Sequence, residues 1–347
     1  MKFQAEPPVL GSHQTQKAQH VVAAVIVNAG KEVLLSLRPA HVHQGGLWEF
    51  PGGKVEPGED IRQALDRELK EELDIAPISA RPMIRIRHDY PDKSVLLDVW
   101  YVDRFTGMPQ GREGQELNWV APGQLIHRKF PAANIPIVNA ARLPPLYLIT
   151  PEPGTDIAGF FITLERALKA GVQLMQLRAN TCTKSRYQAL AQQAGELCRR
   201  YGAALLLNSP PDLIDTTGAG GVHLNSARLM AINSRPVAKD KWFAASCHNR
   251  QELEKAKSLG ADFIVVSPVL PTSSHPEARV LDWEGLNELC EHATMPVYAL
   301  GGMTPQHISK AWRHGAQGIA AISAIWRSST MERDIHACLN HNYDNSG

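Results

Sequence analysis

The second half of the chain repeats one rhythm: a short, almost wholly apolar run, a polar break, then in most cases a stretch with apolar residues at helical spacing. The runs are Leu146–Thr150, Leu174–Arg178, Ala204–Asn208, Gly221–Leu224, Trp242–Ser246, Phe263–Ser267, Val297–Leu300 and Gly318–Ile322, eight in all. Helical stretches separate most of them, at Thr163–Ala170, Ser185–Tyr201, Arg250–Leu259 and Pro305–His314. Strands apolar on both faces, alternating with amphipathic helices, form parallel sheets, and this number of units predicts a closed (β/α)8 barrel, a TIM barrel. At about 180 residues it is short for that fold and leaves room for few elaborations.

The first half reads differently. Val21–Val27 and Glu32–Leu37 are apolar runs joined by Asn28-Ala29-Gly30, a hairpin signal. A long loop through Trp48–Gly53 leads to a helical segment whose apolar face is Ile61, Leu65, Leu69 and Leu73, with Ala64 beside them. Strands near Met83–His88 and Val95–Phe105 follow. Strands on both sides of a helix without regular alternation predict an α+β sandwich with a mixed sheet. The Pro144-Pro145 pair ends helices and stiffens connections, which marks the boundary. The expected organisation is therefore a flexible N-terminus (1–18), a first domain (19–142), a linker (143–145), the barrel (146–330) and a C-terminal tail (331–347).

The 347 residues suit two cores better than one. A net charge of +1 gives no bulk attraction to nucleic-acid polymers or membranes, and no apolar run approaches the ~20 residues that span a bilayer. The polar N-terminus lacks the apolar core of a signal peptide. Five cysteines, odd in number, scattered and never spaced as CxxC, fit reduced thiols, and the expected location is cytoplasmic.

Candidate chemistry is concentrated on the helix of the first half. Glu68, Glu71 and Glu72 are three and four residues apart, so they share the face opposite the apolar one. Like charges on one face are costly unless a cation lies over them, and hard oxygen ligands select Mg²⁺ or Mn²⁺. With Gly53, Glu59, Arg67, Leu69 and Ile75 these carboxylates resemble the Nudix box, G-x5-E-x7-R-E-U-x-E-E-x-G-U, at eight positions. Asp74 stands where that box has glycine, and aspartate tolerates the left-handed conformation needed to end the helix there.

Around the box, Arg38, Leu47–Lys54, Tyr90-Pro91-Asp92, Arg112–Gln115 and Phe130–Asn134 resemble the MutT type of Nudix hydrolase. That resemblance implies hydrolysis of 8-oxo-dGTP to the monophosphate and pyrophosphate, which sanitises the nucleotide pool. It also implies the ligand set: Glu68, Glu71 and Glu72 with the Gly52 carbonyl, Glu59 as an outer carboxylate, and Glu113 as an acidic residue from outside the box. Either Glu68 or Glu113 would take a proton from metal-bound water, and Arg67 would orient the box glutamates. Arg38 resembles a phosphate or ribose contact, and Phe50 would lie beside the base. Asn134 offers a donor and an acceptor to a purine edge. Lys93 stands where the family usually has arginine, which implies weaker base contact.

The barrel half resembles thiamine phosphate synthase and its relative TenI, a thiazole tautomerase. The resemblance rests on Gln176–Arg178, Leu207-Asn208, Gly221–Leu224, Ala245–His248, Ser267–Thr272, Gly301–Met303 and Ile322–Ile325. It implies a phosphate site at Gly301, Gly302 and Ser323, with Arg178, Asn208 and His248 around the ligand. The synthase's metal-binding and cationic residues are replaced by Asn180, Ser209, the Asn225–Arg228 segment and His275, which implies that synthase chemistry is lost. Two functions follow. One is an oxidised-nucleotide pyrophosphohydrolase with an accessory barrel that takes a small phosphorylated ligand. The other is a thiamine-related binding protein or tautomerase whose first half cleaves a different pyrophosphate.

Overall fold

A computed structural model describes residues 18–42, 44–90, 93–272, 277, 279–341 and 343. Nearly all of the expected flexible N-terminus lies outside these residues, as do Pro91, Asp92 and His275.

The first domain contains β1 (Gln19–Ile26), β2 (Val33–Leu37), β3 (Trp48–Glu49), α1 (Ile61–Leu73), β4 (Ala76–Asp89), β5 (Ser94–Thr106), β6 (Leu117–Val120) and α2 (Ile135–Arg142). One sheet has the order β1-β5-β4, with β1 parallel and β4 antiparallel to β5; the other is antiparallel, β3-β2-β6. Successive side chains of β1 point to opposite faces. Val22, Ala24 and Ile26 join Ala64, Leu65, Leu69 and Leu73 of α1 in one core, while Ala23 and Val25 join Ile137 and Val138 of α2 in the other. The domain is thus a mixed-sheet sandwich between two helices.

The Asn28–Glu32 turn forms, with Asn28 N–H donating to Glu32 O at 3.0 Å, but the predicted hairpin does not continue beyond a Val27–Val33 bridge. The two strands enter different sheets because the edge of β1 is already used. Val22 N–H donates to Gly53 O at 2.9 Å and Ala24 N–H to Pro51 O at 2.8 Å. This pairing brings the Pro51–Gly53 loop onto β1, directly under α1.

The barrel strands are β7 (Leu146–Ile149), β8 (Leu174–Leu177), β9 (Ala204–Leu207), β10 (Gly221–Leu224), β11 (Trp242–Cys247), β12 (Phe263–Val266), β13 (Val297–Ala299) and β14 (Gly318–Ala321). All pair in parallel and the sheet closes on itself. Tyr147, Phe263 and Tyr298 fill the interior as one aromatic layer, with ring centroids 5.4–5.6 Å apart. The first nine residues of the segment expected to be a tail are instead built into the barrel. Met331–Leu339 is a helix whose Met331, Ile335 and Cys338 are fully buried, apolar at helical spacing on one face.

The first domain sits against the barrel end at which the strands begin. The Gln317 amide donates to Ala140 O (3.1 Å) and Leu143 O (2.8 Å), and Tyr298 Oη donates to Pro144 O at 2.5 Å. The Arg142 guanidinium lies 4.4 Å from the Trp242 ring centroid. Arg81 of β4 is buried between Tyr101 and Trp312, 4.6 and 4.2 Å from their ring centroids. Among the described residues no helix is long and apolar enough to cross a membrane, and the five cysteines are unpaired thiols, four of them buried.

Candidate active site

Helix α1 is set rigidly at both ends. Asp60 caps it, accepting from Gln63 N–H at 2.8 Å, while the Gln63 side chain accepts from Asp60 N–H at 3.1 Å, a reciprocal capping box. At the other end Asp74 takes the left-handed conformation (φ 58°, ψ 33°) and returns its N–H to Leu69 and Lys70 carbonyls. Aspartate here performs the role expected of glycine, and Lys70 and Arg112 lie beside its carboxylate.

Glu68 and Glu72 of α1 face the Pro51–Gly53 loop. Gly52 N–H donates to Glu72 at 3.1 Å. Gly52 has φ 147°, and a Cβ there would stand 2.1 Å from Val22 O, so only glycine lets the loop lie this close to β1. A Cβ on Gly53 would fall 2.3 Å from the Glu68 carboxyl atoms, which puts that group directly on the loop backbone. Arg67 gathers the rest: it donates twice to Glu59 at 2.9 Å, to Glu68 at 2.8 Å, to Glu71 at 3.3 Å and to Lys54 O at 2.9 Å. Its bidentate bond holds the Glu59 carboxyl below the usual carboxylate range.

Glu72 is the outlier. Burial pushes its carboxyl up to about 8, against the pull of the Gly52 N–H, and the negative charges of Glu113, Glu49 and Glu68 add to the rise. Glu49, at the end of β3, is also raised by burial, although Arg38 pairs with it and opposes the shift. Glu113 is exposed on the loop before β6.

Among the described residues no three carboxylate, histidine or cysteine side chains converge closely enough to hold a metal as they stand. The donor set nevertheless fits a hard divalent cation. It offers carboxylate oxygens beside the Gly52-Gly53 backbone, around one carboxyl whose ionisation burial and like charge oppose. Glu72 accepts from the Gly52 N–H, Glu68 lies against Gly53, Arg67 bonds Glu59, Glu68 and Glu71, and the negative charge of Glu113 is felt at Glu72.

The residues expected around the base come from separate segments of the domain, after β2, after β3, at the β4–β5 turn and before α2. The Phe50 ring is buried and stacked on Phe130 at 5.6 Å. Asn134 is half-buried at the entry to α2, and its side chain makes no capping bond there. Arg38 is engaged with Glu49. Lys93 lies at the β4–β5 turn, where its carbonyl accepts from Tyr90 N–H at 2.8 Å.

A second site opens where the barrel strands end, as a cavity of about 970 Å³. Arg178, Asn208, His248 and Gly301 line it; Gly302 follows directly, and Ser323 starts the short helix after Ile322 of the lining. His248 Nδ1 lies 2.5 Å from Ser267 O and its N–H donates to Glu252 at 2.7 Å. Asn208 is held by Arg228, which donates to its carbonyl (3.1 Å) and its side-chain oxygen (3.2 Å).

The cavity floor carries a polar chain that the sequence reading had not assigned to the site. Gln176 donates to Tyr147 Oη at 3.2 Å, Tyr147 Oη lies 3.1 Å from His223 Nδ1, and His223 Nε2 lies 2.8 Å from Ser246 Oγ. Burial drives the His223 imidazole down to about 3, so the ring is neutral. The signal was present in the sequence: on a strand, Val222 and Leu224 share one face and leave His223 alone on the barrel interior.

Comparison with known proteins finds two family matches. The pattern described as "Thiamine monophosphate synthase" matches residues 146–325, and that described as "NUDIX domain" matches residues 22–140. A protein of Aquifex aeolicus named "Putative thiamine-phosphate synthase 2" is 38% identical over 52% of this chain and 97% of its own length. The "CTP pyrophosphohydrolase" of Escherichia coli K12 is 42% identical over 36% of this chain and 91% of its own length. A solved MutT structure, from work on Aliivibrio salmonicida and Vibrio cholerae, is 41% identical over 36% of this chain and 98% of its own, with a TM-score of 0.33.

Proposed function

Because this chain joins a member of the Nudix family to a member of the thiamine monophosphate synthase family, we propose that its first domain hydrolyses oxidised purine nucleoside triphosphates, 8-oxo-dGTP to 8-oxo-dGMP and pyrophosphate. The observation that carries the reading is the carboxylate face of α1 held against the Gly52-Gly53 loop, with Asn134 presenting an uncommitted amide at the start of α2. Mg²⁺ or Mn²⁺, when bound, neutralises the polyphosphate and acidifies a bound water. Glu68, Glu71 and Glu72 with the Gly52 carbonyl hold it, Glu59 and Glu113 stand farther out, and Glu68 or Glu113 accepts the proton of the attacking water. Arg67 keeps Glu59, Glu68 and Glu71 in register and does not touch substrate. Asn134 reads the purine edge, and Arg38 and Lys93 carry phosphate and base contacts from the side.

A second reading, CTP as substrate, has a specific support in the name of the Escherichia coli relative. The barrel, in either case, takes a small phosphate monoester in its open mouth and lacks the residues for synthase turnover. A hydrolysis panel with Mg²⁺ decides among these: 8-oxo-dGTP, dGTP, CTP and thiamine pyrophosphate, with pyrophosphate and phosphate release recorded separately. Preference for 8-oxo-dGTP with pyrophosphate released supports the proposal; preference for CTP replaces it with the second reading. Preference for thiamine pyrophosphate would move the first domain into the chemistry of the barrel.

A further inference from the structure

The last carbonyls of any α-helix lack partners within the helix. In α1 those of Leu69 and Lys70 are taken by the Asp74 turn, but those of Glu72 and Leu73 receive a different segment, the loop that carries Glu113. Gln110 N–H donates to Leu73 O and Arg112 N–H to Glu72 O, both at 3.0 Å. Gly114 N–H turns back to Gly111 O at 3.2 Å and returns the chain toward the helix. Gln115 then closes the arrangement from both ends of one planar group: its Nε2 donates to Glu72 O at 3.3 Å and its Oε1 accepts from Glu113 N–H at 2.9 Å.

We propose that Gln115 is a positioning residue: its amide ties the backbone of Glu113 to the backbone of Glu72 and so fixes where the Glu113 carboxylate stands relative to the metal-facing carboxylates of α1. The inference rests on the reading of Glu72 and Glu113 as metal ligands. Glu113 is itself exposed, so its place is set by its backbone rather than by packing. Two residues before β6, Gln115 bonds both residues with one side chain. Only a carboxamide of this length offers a donor and an acceptor across that gap; methionine offers neither, and asparagine is one methylene short.

The test is a double-mutant cycle in the full chain, read by Mn²⁺ binding with electron paramagnetic resonance and without nucleotide. Gln115→Met and Glu113→Gln should each weaken the Mn²⁺ site that depends on Glu113, by about 10-fold, the scale on which partners of metal ligands act. The double variant should be no weaker than Glu113→Gln alone, because a group that works through Glu113 has nothing left to position. Turnover of the best nucleotide in the panel should fall in kcat with KM little changed. Gln115→Ala serves as the second variant should the methionine disturb folding, with a melt recorded for each. Additive losses, unchanged Mn²⁺ binding in both Gln115 variants, or a silent Glu113→Gln would each overturn the proposal. Wild-type protein that binds Mn²⁺ with the expected cycle but cleaves none of the panel would leave the positioning role standing and remove the proposed reaction.

Discussion

Glu72 is held in a state that is unfavourable for a carboxylate without a cation, and that state is measurable as stability. In the unfolded chain its carboxyl ionises near 4.5; in the folded chain burial and the Glu113, Glu49 and Glu68 charges raise it to about 8. Between these values the folded protein binds more protons than the unfolded one. Stability is therefore fully present below pH 4.5 and is lost as pH rises through 8. Each unit of displacement is worth about 1.4 kcal/mol, so the loss is on the order of 5 kcal/mol. Glu72→Gln removes the charge but keeps an oxygen for the Gly52 N–H. In EDTA, thermal melts from pH 5 to pH 9 should show wild-type protein losing several degrees more than the variant as pH rises across this window. Saturating Mg²⁺ should restore the wild type at pH 9 and leave the variant unmoved. The same substitution should cost at least ~100-fold in kcat, because in the proposed reaction it removes charge from the face that holds the cation. Parallel melting curves for the two proteins in EDTA would refute the account of a cation-starved carboxylate, and near-normal turnover would remove the Nudix mechanism altogether.

Asn134→Ala should raise KM for 8-oxo-dGTP selectively, by the ~1–3 kcal/mol of a bidentate base contact; equal losses on dGTP and 8-oxo-dGTP would show that Asn134 is not the discriminating reader. His223, driven down to about 3 by burial, should contribute stability that is intact above pH 6.5 and is lost as pH falls toward 3, so His223→Gln should flatten the acid limb of the stability curve. Arg81→Ala, which removes a buried cation from between Tyr101 and Trp312, should lower stability by roughly 2 kcal/mol and separate one calorimetric transition into two, whereas an unchanged single transition would deny it a role in joining the domains. Thiamine phosphate synthase assays on the full chain should read blank, while calorimetry with thiamine phosphate should record binding that Gly302→Asp abolishes.

The elements were legible wherever local pattern and packing agree. All eight barrel strands lie within a residue or two of the apolar runs, since a strand buried on both faces has no other way to be written. The face of α1 was legible for the same reason. The hairpin was not: the turn signal at Asn28-Ala29-Gly30 is real, but the partner of β1 was decided by the Pro51–Gly53 loop, far away in sequence. Residues 331–339 carried a helical pattern, with Met331, Ile335 and Cys338 on one face, that only the barrel wall makes worth burying. At the site, spacing identified the carboxylates but not what restrains them. Arg67 reaching three glutamates, and Gln115 bridging Glu113 to Glu72, depend on side-chain reach across loops that no periodicity encodes.

The way the domains meet bears on why one chain carries both. The contacts of the first domain fall where barrel strands begin: Pro144 precedes β7, Trp242 opens β11, and Gln317 precedes β14. The barrel cavity opens where the strands end, at Arg178, Asn208, His248 and Gly301. Between the two lies the filled interior, including the Tyr147–Phe263–Tyr298 layer, which separates the barrel mouth from the first domain. What the junction supplies is mechanical: Arg81 and Gln317 bind β4 and the end of α2 to the barrel, and β4 belongs to the same sheet as β1, against which the Gly52 loop is laid. Loosening that junction should therefore be felt in the geometry of the carboxylate face before it is felt in the barrel mouth, which the first domain does not touch.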